Sequence, residues 1–321
     1  MAKIDVALIG AGGMANSVHY PSLADFDDVS LVGLCDLISS KRQATAETFG
    51  IEKIYTDYQQ MIEETQPAAV YVLMPPQDLF RPAIYCLQRG IHVFIEKPPG
   101  LTTHQVREMA NLAEENSCLT MVGFNRRFIP LLRHVKSIVE AEGPIIQCMS
   151  VFHKNSPDAL YYQGQIDVLT CDAIHAVDAL RWLGGSEVKA VASDINAFGA
   201  ERENSFNALI KFTCGASGFL CTNWAVGGRI HIFEMHASGI SAYVNPDLNG
   251  KAVIHDRSGV TEISTVEISN SDQNHIAYGF YAENRHFIDC IQQGQLPETH
   301  FSDAVKTMEL VDMIYQNRID G

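Results

Sequence analysis

Between residues 4 and 122, short apolar runs alternate with longer stretches whose apolar positions recur every three or four residues. The runs lie at 4–9, 29–35, 69–73, 91–95 and 119–122, and the amphipathic stretches at 39–49, 58–65, 77–88 and 102–116. Runs that are apolar on both faces, separated by helical segments, predict a doubly wound parallel sheet. After Gly143-Pro144 the rhythm changes. One helix-like segment, 166–183, stands among strand candidates at 145–151, 188–197, 207–212, 218–224, 229–237 and 241–244. Turn signals at Cys214-Gly215, Gly227-Gly228 and Asn249-Gly250 predict hairpins of an open, mostly antiparallel sheet. From 281 to 319 the pattern is helical again, interrupted near 294–297. The expected architecture is α/β: a parallel-sheet domain over 1–122 and an α/β domain over 123–321, with the helical tail returning to the first domain.

Composition narrows the function. The chain has 321 residues, 46% hydrophobic and 19% charged, enough for two cores. Its net charge of −15, from 23 basic and 38 acidic residues, argues against a nucleic-acid partner, since phosphate binding requires a basic face. Eight cysteines are scattered with no C-x-x-C pair, as expected for reduced thiols in the cytoplasm. Met1-Ala2-Lys3 leads directly into the first strand, so no signal peptide is expected. No apolar run approaches the ~20 residues of a membrane helix, and no membrane partner is expected.

The segment VALIGAGGMA places Gly10, Gly12 and Ala15 in a G-x-G-x-x-A pattern after the first strand. The first glycine allows a tight turn and the second lets the backbone approach a pyrophosphate. The small third residue lets the helix pack against the strand, with its N-terminus facing the phosphates. Such a match is weak alone. Here a strand precedes it, a helix follows, and Asp36 closes the second strand 21 residues beyond Ala15, where a carboxylate can accept hydrogen bonds from ribose hydroxyls. That carboxylate favours NAD, while Ser39, Lys41 and Arg42 just beyond it leave NADP possible.

A second stretch, FIEKPPG at 94–100, ends a strand on a lysine followed by two prolines. Taken with GAGGMA at 10–15, GLCD at 33–36, MPPQDLF at 74–80, GIHVFIEKP at 90–98, VGFNRRFIP at 122–130, DAIHAVDALRWLGG at 172–185 and NRHFIDCIQQGQLP at 284–297, it carries a resemblance over nearly the whole chain. The sequence resembles the glucose–fructose oxidoreductase / inositol dehydrogenase / rhizopine-catabolism family of NAD(P)-dependent oxidoreductases. E-K-P is the most specific of these motifs.

The resemblance implies that Lys97 reaches the substrate carbon that exchanges hydride with the nicotinamide. Physically, Lys97 follows a strand end, where ligands of open α/β sheets bind, and Pro98 biases it to an extended backbone. A fixed ammonium there can stabilise a developing alkoxide. The pattern H-x-x-D, met by His175 and Asp178, implies that His175 is the base. Cofactor contacts are implied at Gly10, Gly12, Gly13, Met14, Ala15, Asp36, Pro75, Glu96, Lys97, Asn125 and Arg126. No metal is expected, although Cys171 and His175 stand at a spacing that can bind zinc on a helix.

Two positions depart from the family pattern. Phe80 stands where a polar residue is usual, and Cys171 stands where an acid commonly precedes the histidine by four. Asp172, three residues before His175, is favoured as the substitute third catalytic residue. The other readings are that Cys171 merely fills space or that the acid's role is lost. The expected activity is oxidation of a secondary hydroxyl on a sugar or polyol. Redox-assisted glycoside cleavage with bound NAD, or a non-catalytic dinucleotide sensor, are the alternatives. A homodimer or homotetramer is expected, joined through the uncovered face of the second sheet.

Overall fold

The computed structural model describes residues 3–319, which divide into two units. The first unit runs to Gly123 and takes in Phe280–Val305 as well. Its sheet comprises β1 (Ile4–Ile9), β2 (Val29–Cys35), β3 (Ile54–Tyr55), β4 (Ala69–Val72), β5 (His92–Ile95) and β6 (Thr120–Val122). All pairs are parallel, in the order β3-β2-β1-β4-β5-β6. The strand order reverses between β1 and β4, which makes the carboxyl ends of those strands the place for a ligand.

The apolar runs become central strands because both their faces are covered. Val6, Ala7, Leu8 and all four residues of β4 are fully buried. Tyr71 of β4 and Phe94 of β5 stack with ring centroids 4.5 Å apart. Phe287, on the helix Phe280–Gln293, lies 5.8 Å from each ring. The edge at β6 is extended by Thr299, whose carbonyl accepts the Val122 N–H (2.9 Å) and whose hydroxyl donates to the Val122 carbonyl (2.7 Å).

The second unit comprises Phe124–Gly279 and the residues from Lys306 onward. Its strands are β7 (Gln147–Asn155), β8 (Val188–Asn196), β9 (Ser205–Phe212), β10 (Ser217–Asn223), β11 (Ala225–Ala237), β12 (Ile240–Val244), β13 (Lys251–Asp256) and β14 (Gly259–Ser264). They form one sheet in the order β14-β13-β12-β11-β7-β10-β9-β8. Every neighbouring pair is antiparallel except β7–β10, which is parallel. The open, mostly antiparallel sheet is therefore present, and Cys214-Gly215 and Asn249-Gly250 connect antiparallel neighbours as expected. Gly227-Gly228, however, is no turn: it lies inside β11, where the register with β7 shifts between Ala225 and Ile230. Alternation sets its two faces: Cys148, Ser150 and Phe152 of β7 are buried on the side of the helix Ile174–Gly184, where the Cys148 thiol points to the Leu180 carbonyl.

Three further features differ from the pattern reading. The helix Pro130–Glu142 was not expected, although Pro130 stands at its first turn and Leu131, Leu132, Val135 and Val139 form its buried stripe. Strands β13 and β14 were not expected either. Most of their side chains are exposed, so little apolar alternation marks them. The single helix expected over 166–183 is composite: Ile166 makes an isolated bridge to Tyr161, residues Leu169–Ala173 wind as a π-helix, and regular α-helix begins at Ile174. Among the described residues, no helix is long and apolar enough to cross a membrane.

Candidate active site

The first unit supplies a dinucleotide cradle. Gly10 ends β1 with φ +111°, a conformation that L side chains rarely adopt, and a Cβ there would lie 2.4 Å from the Leu73 carbonyl oxygen. Only glycine fits between β1 and the end of β4. Among the described residues, Cβ atoms built on Gly12 and Gly13 would meet nothing within 4 Å, so the loop is open above its backbone. The chain then turns helical from Gly13 to Ala24, with Ala15 buried and Met14 exposed. Asp36, at the end of β2, is tied into this loop: Oδ2 accepts the Ala11 N–H (2.8 Å) and Oδ1 the Ile38 N–H (2.7 Å). Each oxygen keeps a lone pair for a ribose hydroxyl. Arg42 donates to the Asp36 carbonyl at 2.5 Å, which holds its guanidinium beside the same loop. Pro75 is exposed just beyond β4. An open glycine loop, a helix start and an anchored carboxylate fit an adenine dinucleotide.

Lys97 follows the carboxyl end of β5 and is half-buried, between the half-buried Glu96 and the buried Pro98. The Glu96 carboxylate is turned back into its own unit. Its Oε2 accepts the Lys97 N–H (3.0 Å) and its Oε1 lies 2.8 Å from His19 Nε2.

In the second unit, Asn125, Arg126 and Arg127 lie buried on the 3-10 turn Asn125–Phe128. Asn125 donates to the Tyr278 carbonyl (2.8 Å) and accepts from Arg126 (2.7 Å), while the Arg126 guanidinium stands 4.7 Å over the Tyr278 ring. Arg127 forks onto Asp178 at 2.8 and 2.5 Å, and Thr307 donates to the same carboxylate (2.8 Å). Asp178 thus fastens the helix Ile174–Gly184 to the 3-10 turn. Losing one partner of such a buried pair costs about 3–5 kcal/mol.

His175 is 5% exposed, on the first turn of that helix, and Cys171 and Asp172 are buried in the π-turn before it. The α-helical spacing used to relate Asp172 to His175 does not hold across a π-turn, which winds more residues per turn. Asp172 is instead built into a network. Its Oδ2 accepts from the Tyr161 hydroxyl (2.7 Å) and is ion-paired with Lys154 at the end of β7. Trp224 Nε1 donates to the same Tyr161 hydroxyl (3.0 Å). Burial and the Asp172 charge push the Tyr161 phenol well above its usual range.

The pattern reading left Tyr161 and Trp224 unplaced and did not single out Lys154. In the sequence K-N-S-P, the lysine reads as the polar end of a strand, and only its alternation with Phe152 signals that it faces inward. Lys154 Nζ stands 5.1 Å from the Phe152 ring centroid and 5.5 Å from that of Trp224.

Comparison with known proteins agrees with both halves. Residues 4–124 match the model of an oxidoreductase family with an NAD-binding Rossmann fold, and residues 133–241 match the GFO/IDH/MocA C-terminal domain. The chain is 36% identical over 127 residues to D-glucoside 3-dehydrogenase of Escherichia coli, spanning 40% of this chain and 36% of that one. It is 24% identical to D-apiose dehydrogenase of Paraburkholderia graminis, over 98% of this chain and 88% of the relative. Among solved structures, levoglucosan dehydrogenase in complex with NADH and levoglucosan superposes with a TM-score of 0.86 at 20% identity, over 98% and 97% of the two chains. The glycine loop, the E-K-P lysine and two consecutive family domains place the chain in the GFO/IDH/MocA family of NAD-binding oxidoreductases.

Proposed function

We propose that this protein oxidises a secondary hydroxyl of a sugar, polyol or related small molecule to a carbonyl, reversibly and with NAD. The observation that carries the reading is Lys97, held beyond the carboxyl end of β5 in the unit whose glycine loop fits the dinucleotide. NAD, when bound, supplies the hydride acceptor. Lys97 donates a hydrogen bond to the reacting oxygen and stabilises negative charge there. His175 takes the hydroxyl proton. Asp172 is the third catalytic residue and holds Lys154 and Tyr161 in place. Gly10, Gly12, Gly13, Met14 and Ala15 cradle the pyrophosphate, Asp36 takes the ribose, and Pro75, Glu96, Asn125 and Arg126 are the remaining cofactor contacts. The unit of residues 1–123 and Phe280–Val305 carries the cofactor, in place of the 1–122 boundary expected from the sequence. The unit of Phe124–Gly279 and residues 306–321 carries the substrate and subunit contacts. The similarity to glucoside, apiose and levoglucosan dehydrogenases supports the substrate class. Eight cysteines present as free thiols suit a reducing, cytoplasmic setting.

The test is a sugar and polyol panel followed by nicotinamide absorbance, run with NAD and with NADP. Turnover with at least one polyol and a preference for NAD are expected, since Asp36 repels a 2′-phosphate. Lys97→Ala and His175→Ala should each lower kcat by two or more orders of magnitude with dinucleotide affinity kept. Asp172→Asn should lower it substantially, and Cys171→Ala should not. No turnover across the panel, or full activity in Lys97→Ala, would reject the reading.

A further inference from the structure

His19 lies in the π-helical turn Ala15–His19 that follows the glycine loop, and it is fully buried. Its ring is edge-on to Phe94 (5.2 Å) and Phe280 (6.5 Å) and tilted against Tyr71 (6.0 Å). Inside this apolar box both ring nitrogens are engaged. Nδ1 is 3.1 Å from Asn284 Oδ1, and Nε2 is 2.8 Å from Glu96 Oε1. Asn284 spends its amide N–H on the Phe280 carbonyl (2.7 Å), which leaves its oxygen to face the ring, so Nδ1 is the donor. A single proton then joins Nε2 to Glu96. The second Glu96 oxygen accepts the Lys97 N–H at 3.0 Å. Behind the carboxylate lies Gly123, where a Cβ would stand 3.1 Å from Glu96 Oε1. His19, Glu96 and the buried Glu283 offer ligand atoms within 4.8 Å of one another, but hydrogen bonds already occupy both nitrogens of His19, which speaks against a cation there.

We propose that His19 is a positioning residue for Lys97. It clamps the Glu96 carboxylate, and the carboxylate clamps the Lys97 backbone, so the lysine leaves β5 in one conformation with its ammonium aimed at the reacting oxygen. This inference rests on the reading of Lys97 as the group that binds that oxygen. The charged groups around the imidazole are Glu96 from the β5 end and Glu283 from the helix Phe280–Gln293. The Tyr71 phenol, which burial holds well above its usual range, closes the box from β4. Because a misplacement of ~1 Å at a reacting group can cost ~100-fold in rate, loss of the clamp acts on kcat rather than on cofactor binding.

Four variants and Lys97→Ala separate the possibilities, measured by kcat and KM on the panel sugar that the wild type oxidises, with NADH affinity by fluorescence titration. His19→Phe fills the box without either hydrogen bond. His19→Asn keeps a donor toward Asn284 and withdraws the group facing Glu96, whereas His19→Gln extends a donor to Glu96. We expect kcat to fall about 10- to 100-fold in His19→Phe and His19→Asn, with NADH affinity kept within about threefold and most of the loss recovered in His19→Gln. Tyr71→Phe, which removes a buried hydroxyl without a hydrogen-bond partner among the described residues, should leave kcat unchanged. If His19→Phe fails to fold, the Asn and Gln pair decides. The proposal is overturned if His19→Asn keeps wild-type kcat while Lys97→Ala is inactive, or if the Gln variant loses as much as the Asn variant. Full activity in Lys97→Ala would instead remove the reading beneath it.

Discussion

Replacing His231 by phenylalanine should stabilise the second unit, and increasingly so in acid. His231 sits on β11, fully buried, with its ring stacked on Phe152 at 4.3 Å and 4.5 Å from Phe233. Neither ring nitrogen has a hydrogen-bond partner among the described residues. Burial, with Arg126, Arg229 and Lys154 adding to it, holds the imidazole well below its ordinary 6.5. Asp172 and Asp247 balance two of those cations through ion pairs with Lys154 and Arg229. The folded state therefore keeps His231 neutral while the unfolded chain takes up a proton as pH falls through 6.5. Wild-type stability declines by about 1.4 kcal/mol for each pH unit below that value, and the variant escapes this loss. A buried N–H without an acceptor adds about 1–3 kcal/mol of cost at any pH. Overpacking by the larger phenylalanine ring opposes this gain equally at every pH, so it does not alter the pH dependence. Urea unfolding read by tryptophan fluorescence suits the test, because Trp182 and Trp224 both lie in the second unit. Between pH 7.5 and 5.5 the stability difference, variant minus wild type, should grow by about 1.4 kcal/mol. A difference that stays flat over that interval would mean the native imidazole is protonated or partnered, and the reasoning would fail.

Gly10→Ala must adopt φ +111° and place a methyl group 2.4 Å from the Leu73 carbonyl. It should cost about 1–3 kcal/mol in a thermal melt and weaken NADH binding at least tenfold, and a variant with wild-type melting and affinity would refute the close approach of β1 and β4. On the face of the second sheet away from the helix Ile174–Gly184, Leu209, Phe219 and Met149 lie in register across β9, β10 and β7, with Val151 beside Ile232. Light scattering should give a multiple of 35.5 kDa that Leu209→Lys reduces, and a monomer at micromolar concentration would count against association through this face.

Much of the fold was legible because the first unit's strands are buried on both faces and its helices on one, which writes two distinct periods into the sequence. The glycine loop could be read because it needs backbone conformations that few residues satisfy, whereas the role of E-K-P was read through the family resemblance. The edge strand β14 and its neighbour β13 left little trace, since a mostly exposed hairpin needs no apolar alternation. The π-turn at Leu169–Ala173 was also silent, because it inserts into a helix without changing which residues are apolar. Lys154 and Tyr161 reach Asp172 from 18 and 11 residues away through irregular chain, and His19 meets Glu96 and Asn284 from 77 and 265 residues away, only after folding. No local pattern encodes such meetings, so Lys154 and His19 were less visible than Lys97 and His175, which stand in motifs.

The nucleotide-binding unit is discontinuous, and this matters for how the chain comes into being. Phe287 caps the Tyr71–Phe94 stack and Thr299 completes the edge at β6, yet both are synthesised more than a hundred residues after the strands they finish. On the ribosome, the strands through β6 emerge first with part of their apolar face uncovered, while the whole of Phe124–Gly279 is still to be made. A nascent chain halted before residue 280 would therefore expose aromatic surface and be prone to aggregate. Dividing the gene after residue 122 to make a free-standing cofactor module would reproduce that same unfinished intermediate.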